Sequence, residues 1–148
     1  FYPGYMQKDL AVDEIIESII IPKPRTSQLF RSYKLAKRYD SDISAVCAAF
    51  SIDLHDGLIC DARVAFGGMA ATPKRAQQTE LSLNGKPWNV ATARQAMKTM
   101  ADDYSPMSDM RASAGYRIEA AQNLLYRFYL ETRPEQPLDA AQLSVFET

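Results

Sequence analysis

A chain of 148 residues, 47% of them hydrophobic and 24% charged, is long enough to build one domain around its own core. Its 17 basic and 18 acidic residues leave a formal net charge of −1, which excludes a general nucleic-acid binder working through basic excess. No apolar run has the length needed to cross a bilayer, and no signal-peptide pattern is present, so no membrane role is expected. The opening Phe1-Tyr2-Pro3-Gly4, with no initiator methionine, reads as a piece of a longer protein.

In chain order, Ile15, Ile16, Ile19, Ile20 and Ile21 form a β-branched run that predicts a strand ended by Pro22 and Pro24. Phe30 to Lys37 is a second expected strand. Then Val46, Ala48, Phe50, Ile52 and Leu54 alternate with smaller or polar residues, as do Leu58, Cys60, Ala62, Val64 and Phe66, so a hairpin is expected. Side-chain parity favours a three-residue loop, His55-Asp56-Gly57, that sets Leu54 against Leu58, Ile52 against Cys60 and Phe50 against Ala62. In that register Cys47 and Cys60 face opposite ways, so no disulfide is expected, and free thiols fit a reducing cytoplasm.

Beyond Gly67-Gly68 the period becomes helical. Thr72 is a candidate N-cap with Pro73 at the first helical position, and the pattern runs to about Leu83 before the Asn84-Gly85 turn. Asn89 caps a second expected helix with the stripe Val90, Ala93, Met97, Met100 and Tyr104. A third starts near Ser113 and carries Ala114, Ile118, Ala121, Leu125 and Phe128 on one side. Met97 and Met100 read as packing residues. From Arg133, prolines and polar residues suggest a tail. Grouped strands followed by grouped helices give an α+β class: an antiparallel sheet of three to four strands with about three helices packed on one face.

Chemistry-bearing residues are sparse. His55 is the sole histidine, it sits in an expected turn, and a histidine-built metal site is therefore excluded. Lys23, Arg25, Arg31, Lys34, Lys37 and Arg38 make a cationic strip just before Asp40 and Asp42. This is either a phosphate-attracting patch with a charge-paired loop or a solvated strand edge, and composition favours the edge. Gly67-Gly68 allows close backbone approach but lacks any nucleotide-binding fingerprint. Lys74 and Arg75 fall in the first turn of the expected helix, against its dipole. Nothing supplies a nucleophile with its base, a carboxylate pair or a metal cage, so no catalytic residue and no metal ligand is assigned.

The densest stretch is Ser108-Asp109-Met110-Arg111-Ala112-Ser113-Ala114-Gly115-Tyr116-Arg117. Its charges and small residues suit a helix start held closely against other backbone, with Asp109, Arg111 and Arg117 locking the last helix to the sheet.

Four stretches together carry a family likeness: Phe1-Tyr2-Pro3-Gly4-Tyr5 with Asp13 to Pro22, Phe30 to Ile43, Ala65 to Ala76, and Ser108 to Arg117. The chain resembles the C-terminal lobe of the FAD-binding domain of the xanthine dehydrogenase flavoprotein family, from residue 1 to about residue 131. The resemblance implies that residues 1–22 lead out of an FAD-binding domain, that 23–132 form a CO dehydrogenase flavoprotein C-terminal-like domain, and that 133–148 are a tail or linker. It implies FAD contacts at Ile16 and Lys34, a charged loop beside the flavin at Lys37 to Asp42, and a non-catalytic fragment of an oxidoreductase. Tyr39 and Ser41 depart from the family pattern there. Molybdopterin and 2Fe-2S clusters would lie elsewhere in the complex, with NAD as electron acceptor. The implied partners are the FAD-binding and iron–sulfur domains of the same subunit and a molybdopterin-containing large subunit, in the cytoplasm. The rivals are a flavoprotein subunit of a related carbon monoxide, aldehyde or aromatic hydroxylase, and a free-standing interaction module that uses the cationic strip.

Overall fold

A computed structural model describes residues 1–143. The elements run β1 (Gln28–Leu35), β2 (Val46–His55), β3 (Leu58–Gly67), β4 (Lys74–Arg75), α1 (Gln77–Leu83), α2 (Val90–Asp103), α3 (Ala114–Thr132) and α4 (Ala140–Leu143). The sheet is antiparallel in the order β1-β2-β3-β4. Helix α1 packs on β3, α3 packs on β1 and β2, and α2 lies against α1 and α3. The α+β expectation therefore holds, with the helices gathered on one face.

That face is the core. Val46, Ala48, Phe50 and Ile52 of β2 and Ala62, Val64 and Phe66 of β3 are all buried. Phe50 stacks on Phe128 of α3 at 5.2 Å between ring centroids and meets Phe66 edge-on at 5.6 Å. Such aromatic pairs add about 0.5–1.5 kcal/mol beyond the area they bury. The expected helical stripes pack here, Met100 fully buried and Met97 half-buried, whereas Val90 stays exposed.

The hairpin register differs from the expected one. His55 pairs with Leu58 and Leu54 with Ile59, so the loop is the two-residue turn Asp56-Gly57, with both residues at positive φ. That is the geometry of a type I′ turn, which suits the strand twist. The ladder then slips: Asp53 pairs with Asp61, leaving Cys60 as the extra residue of a bulge. The bulge reverses parity on β3. Ile59 turns inward and is buried, while Leu58 and Cys60 are exposed. Parity reasoning assumed an unbroken ladder and so chose the wrong turn.

Three more expectations fail for non-local reasons. Residues 15–21 form no strand, and every residue from 1 to 27 is exposed except half-buried Gly4. A strand needs a neighbour for its backbone groups, and β propensity alone supplies none. The second strand begins earlier than expected, at Gln28, and ends at Leu35. Thr72 and Pro73 do not start α1, because Lys74 and Arg75 pair with Phe66 and Ala65 as β4. Helix α1 begins after Ala76, which offers no side-chain cap. Its cap comes from the end of α2. The Asp103 carboxylate accepts from the backbone N–H groups of Gln78 and Thr79, both at 2.9 Å, and from the Thr79 hydroxyl at 2.8 Å. The caps of α2 and α3 are local, as expected: Asn89 accepts from Thr92 N–H and Ser113 from Tyr116 N–H. Within 133–143 the short α4 forms, and Leu138 N–H bonds the Leu130 carbonyl. The rest of the expected tail, 144–148, lies outside the described residues.

Candidate functional site

Among the described residues the opposite face of the sheet carries no helix. Register puts Lys34 beside Cys47 and then Gly67, and Ser32 beside Ala49 and then Ala65. Lys34 is exposed, and among the described residues its ammonium makes no hydrogen bond or ion pair. Three donors thus stand uncommitted over a floor of small side chains. Ile16, the other expected contact, is 55% exposed in the extended N-terminal segment, outside the sheet.

At the Lys34 end of this face, the chain between β1 and β2 forms the charged loop. Among the described residues Arg38 reaches only Ser41 Oγ, at 3.5 Å, and it makes no ion pair with Asp40 or Asp42. The cationic strip is also broken up: Arg25 pairs with Asp53 and Arg31 with Glu131. Among the described residues Lys23, Lys34, Lys37 and Arg38 pair with no carboxylate. Between the loop and Met110-Arg111 lies an open groove of about 660 Å³.

The Ser108 to Arg117 stretch meets this loop. Asp109 accepts from the backbone N–H groups of Arg111 and Ala112 at 2.9 and 3.1 Å, and from Arg117 Nη2 at 2.7 Å. The Arg111 N–H, then those of Ala112 and the two guanidinium groups, hold its carboxyl well below the usual carboxylate range. Arg117 also donates through Nη1 to the carbonyls of Ala45 and Gly68. Gly68 has φ +81°, and a Cβ there would lie 2.6 Å from the Ala45 carbonyl oxygen. The glycine pair thus serves the close approach of backbone to backbone. Among the described residues the Arg111 side chain bonds only to Asp109, so the sheet lock rests on Arg117. The carbonyls of Ala45, Gly68 and Met110 are functional groups that sequence reasoning missed, since a carbonyl acceptor leaves no trace in residue type.

The remaining candidates take other parts. His55 is exposed at the end of β2, its Nδ1 3.0 Å from Asp56. Cys47 and Cys60 are free and exposed. Lys74 and Arg75 are strand residues: Lys74 Nζ donates to the Asp103 carbonyl, and Arg75 forks onto Glu80 at 2.7 and 2.9 Å. No group of three or more potential metal ligands exists among the described residues. Nor is any described helix long and apolar enough to cross a membrane.

The architecture is that of a helix-backed lobe with one bare sheet face. It superposes on a carbon monoxide dehydrogenase from Hydrogenophaga pseudoflava that lacks the Mo-pyranopterin moiety of its molybdenum cofactor, with a TM-score of 0.66 and 24% identity. That match covers 72% of this chain and 37% of the other, and it shows the fold. The chain belongs to the CO dehydrogenase flavoprotein C-terminal domain family, which matches residues 31–132. It is similar to the putative xanthine dehydrogenase FAD-binding subunit of Escherichia coli strain K12, 30% identical over 125 residues, covering 84% of this chain and 43% of that subunit. It is also similar to the xanthine dehydrogenase of Oryza sativa subsp. japonica, 28% identical over 140 residues, covering 91% of this chain and 10% of the enzyme. The chain is thus a C-terminal FAD-domain lobe of the xanthine dehydrogenase flavoprotein type, spanning less than half the length of these relatives.

Proposed function

We propose that this lobe covers one side of FAD in the flavin subunit of a molybdenum hydroxylase of the xanthine dehydrogenase type. FAD there supplies the chemistry that passes electrons from iron–sulfur clusters to NAD. The observation that carries the reading is Lys34, an exposed ammonium without a partner among the described residues, on a bare sheet face beside the charged loop. A lysine so free is suited to donate to the carbonyl or phosphate oxygens of a flavin. The floor around it, Ser32, Cys47, Ala49 and Gly67, leaves room for a flat ring to approach the backbone. The lobe offers one wall only, so it lacks catalytic residues of its own.

The N-terminal segment fits the same reading. Ile15, Ile19, Ile20 and Ile21 are each at least 78% exposed and Ile16 55%, a run too apolar to remain in water without cost. Residues 1–22 pack against a preceding FAD-binding domain, with Ile16 turned to the cofactor. Molybdopterin and 2Fe-2S clusters reside in partner domains or a large subunit, in the cytoplasm, and the substrate is chosen there.

The test is Lys34→Ala in the intact flavin subunit. The expected result is lower FAD occupancy or at least tenfold slower NADH oxidation. Full occupancy together with an unchanged rate overturns the assignment.

A further inference from the structure

The segment leading into α3 holds the charged loop at both of its ends. At the first end, Lys37 Nζ donates to the Met110 carbonyl at 3.0 Å. At the last, Arg117 donates to the Ala45 carbonyl, one residue before β2. Between these points the side-chain hydrogen bonds of the loop stay within it, Arg38 to Ser41, and among the described residues no side-chain hydrogen bond or ion pair holds the Asp40 or Asp42 carboxylate. The loop's placement over the groove therefore depends on the shape of residues 108–117.

Arg117 is 4% exposed, yet it belongs to a helix whose buried face is otherwise largely apolar. Its Nε is buried with no partner, so the side chain is oriented for its Nη contacts at the expense of Nε. Those contacts go to Ala45, Gly68 and Asp109. Asp109 in turn is fixed by two backbone N–H groups, with its own N–H bonded to the Ala112 carbonyl. The same short turn that seats Asp109 also presents the Met110 carbonyl to Lys37. One hydrogen-bonded turn thus sets both anchor points.

We infer that Asp109 and Arg117 are positioning residues. They fix the Lys37–Ile43 loop over its groove and thereby set which charges the flavin and its acceptor meet. The flavin half of this inference rests on the function proposed above. The loop half does not.

The test uses Asp109→Asn and Arg117→Lys in the intact flavin-loaded subunit. The lysine keeps the charge but cannot make the fork of N–H bonds. Because Arg117→Lys is a buried change that can impair folding, Asp109→Asn and the exposed Lys37→Met carry the test alone if it does. Hydrogen exchange is read at the bonded amides of Ser41 and Ala45, whose acceptors are the Arg38 and Leu35 carbonyls. Exchange at least tenfold faster than in the parent is expected, with thermal unfolding of the lobe otherwise cooperative. The flavin midpoint potential should move by an amount equivalent to a tenfold change in the oxidised-to-reduced ratio, about 30 mV for a two-electron couple. The KM for the acceptor should rise more than kcat falls.

Unchanged exchange at both amides overturns the inference outright. Faster exchange with an unmoved potential and an unmoved KM overturns its flavin half. Faster exchange in Asp109→Asn combined with full FAD occupancy and rate in Lys34→Ala overturns the proposed function and leaves the loop clamp standing.

Discussion

The two faces of one sheet follow different rules. On the helix side, β2 and β3 present Phe50, Ile52, Val64 and Phe66, each at most 1% exposed. On the other side the same strands present Cys47, Ala49, Ser51, Arg63 and Ala65, and none of them is buried. The first face accounts for why the chain folds. The second is free of that duty, so Lys34 can stand there with no partner. Between them, at the rim, polar groups such as Asp103 and Asp109 tie helices and loops to the sheet. Stability is therefore expected to fall off steeply from core to rim to bare face.

The largest effect should come from Phe50→Ala, which opens a cavity against Phe66 and Phe128. A loss of about 3–5 kcal/mol is expected by urea unfolding, and a loss below 1 kcal/mol would deny that this face is the core. Next is Asp103→Ala, which removes the cap of α1. About 1–2 kcal/mol should be lost, with helical circular dichroism reduced, and no loss would mean that α1 stands by its own propensity. Smaller is the acid response of Asp109. Its pKa is lowered in the folded state, so its contribution is present above the ordinary carboxylate value of about 4 and fades as pH drops below it. Asp109→Asn should flatten the acid limb of a stability–pH profile, and parallel profiles for parent and variant would refute this. Least of all, Ser32→Ala on the bare face should change stability by no more than about 0.5 kcal/mol. A loss above 1 kcal/mol there would show that the two faces are less distinct than their burial suggests.

Much of the helix face was legible because alternation and helical stripes are local signals. The strands holding Phe50 and Phe66 and the caps Asn89 and Ser113 follow from neighbours within a few positions. The bulge at Cys60 was not legible: one inserted residue inverts every parity argument beyond it. The strand expected at Ile15–Ile21 failed because pairing is a property of two segments, and none of the described residues pairs with this one. Thr72-Pro73 gave a good local cap signal, but a sheet partner took Lys74 and Arg75 first. Of the site, Lys34 on a sheet surface and the charged turn at 108–117 could be read from residue type. The acceptors Ala45, Gly68 and Met110 could not, since they act through backbone oxygen.

The borrowed cap of α1 has a consequence for cooperativity. Seven residues are too few to sustain a helix in water, since nucleation is costly and propagation needs length. This one receives its N-terminal acceptors from Asp103, 24 positions beyond Thr79. Helix α1 therefore cannot precede the docking of the end of α2. Its amide protection should appear and vanish together with that contact, making this shortest core-packed helix a reporter of whether the helical layer is assembled.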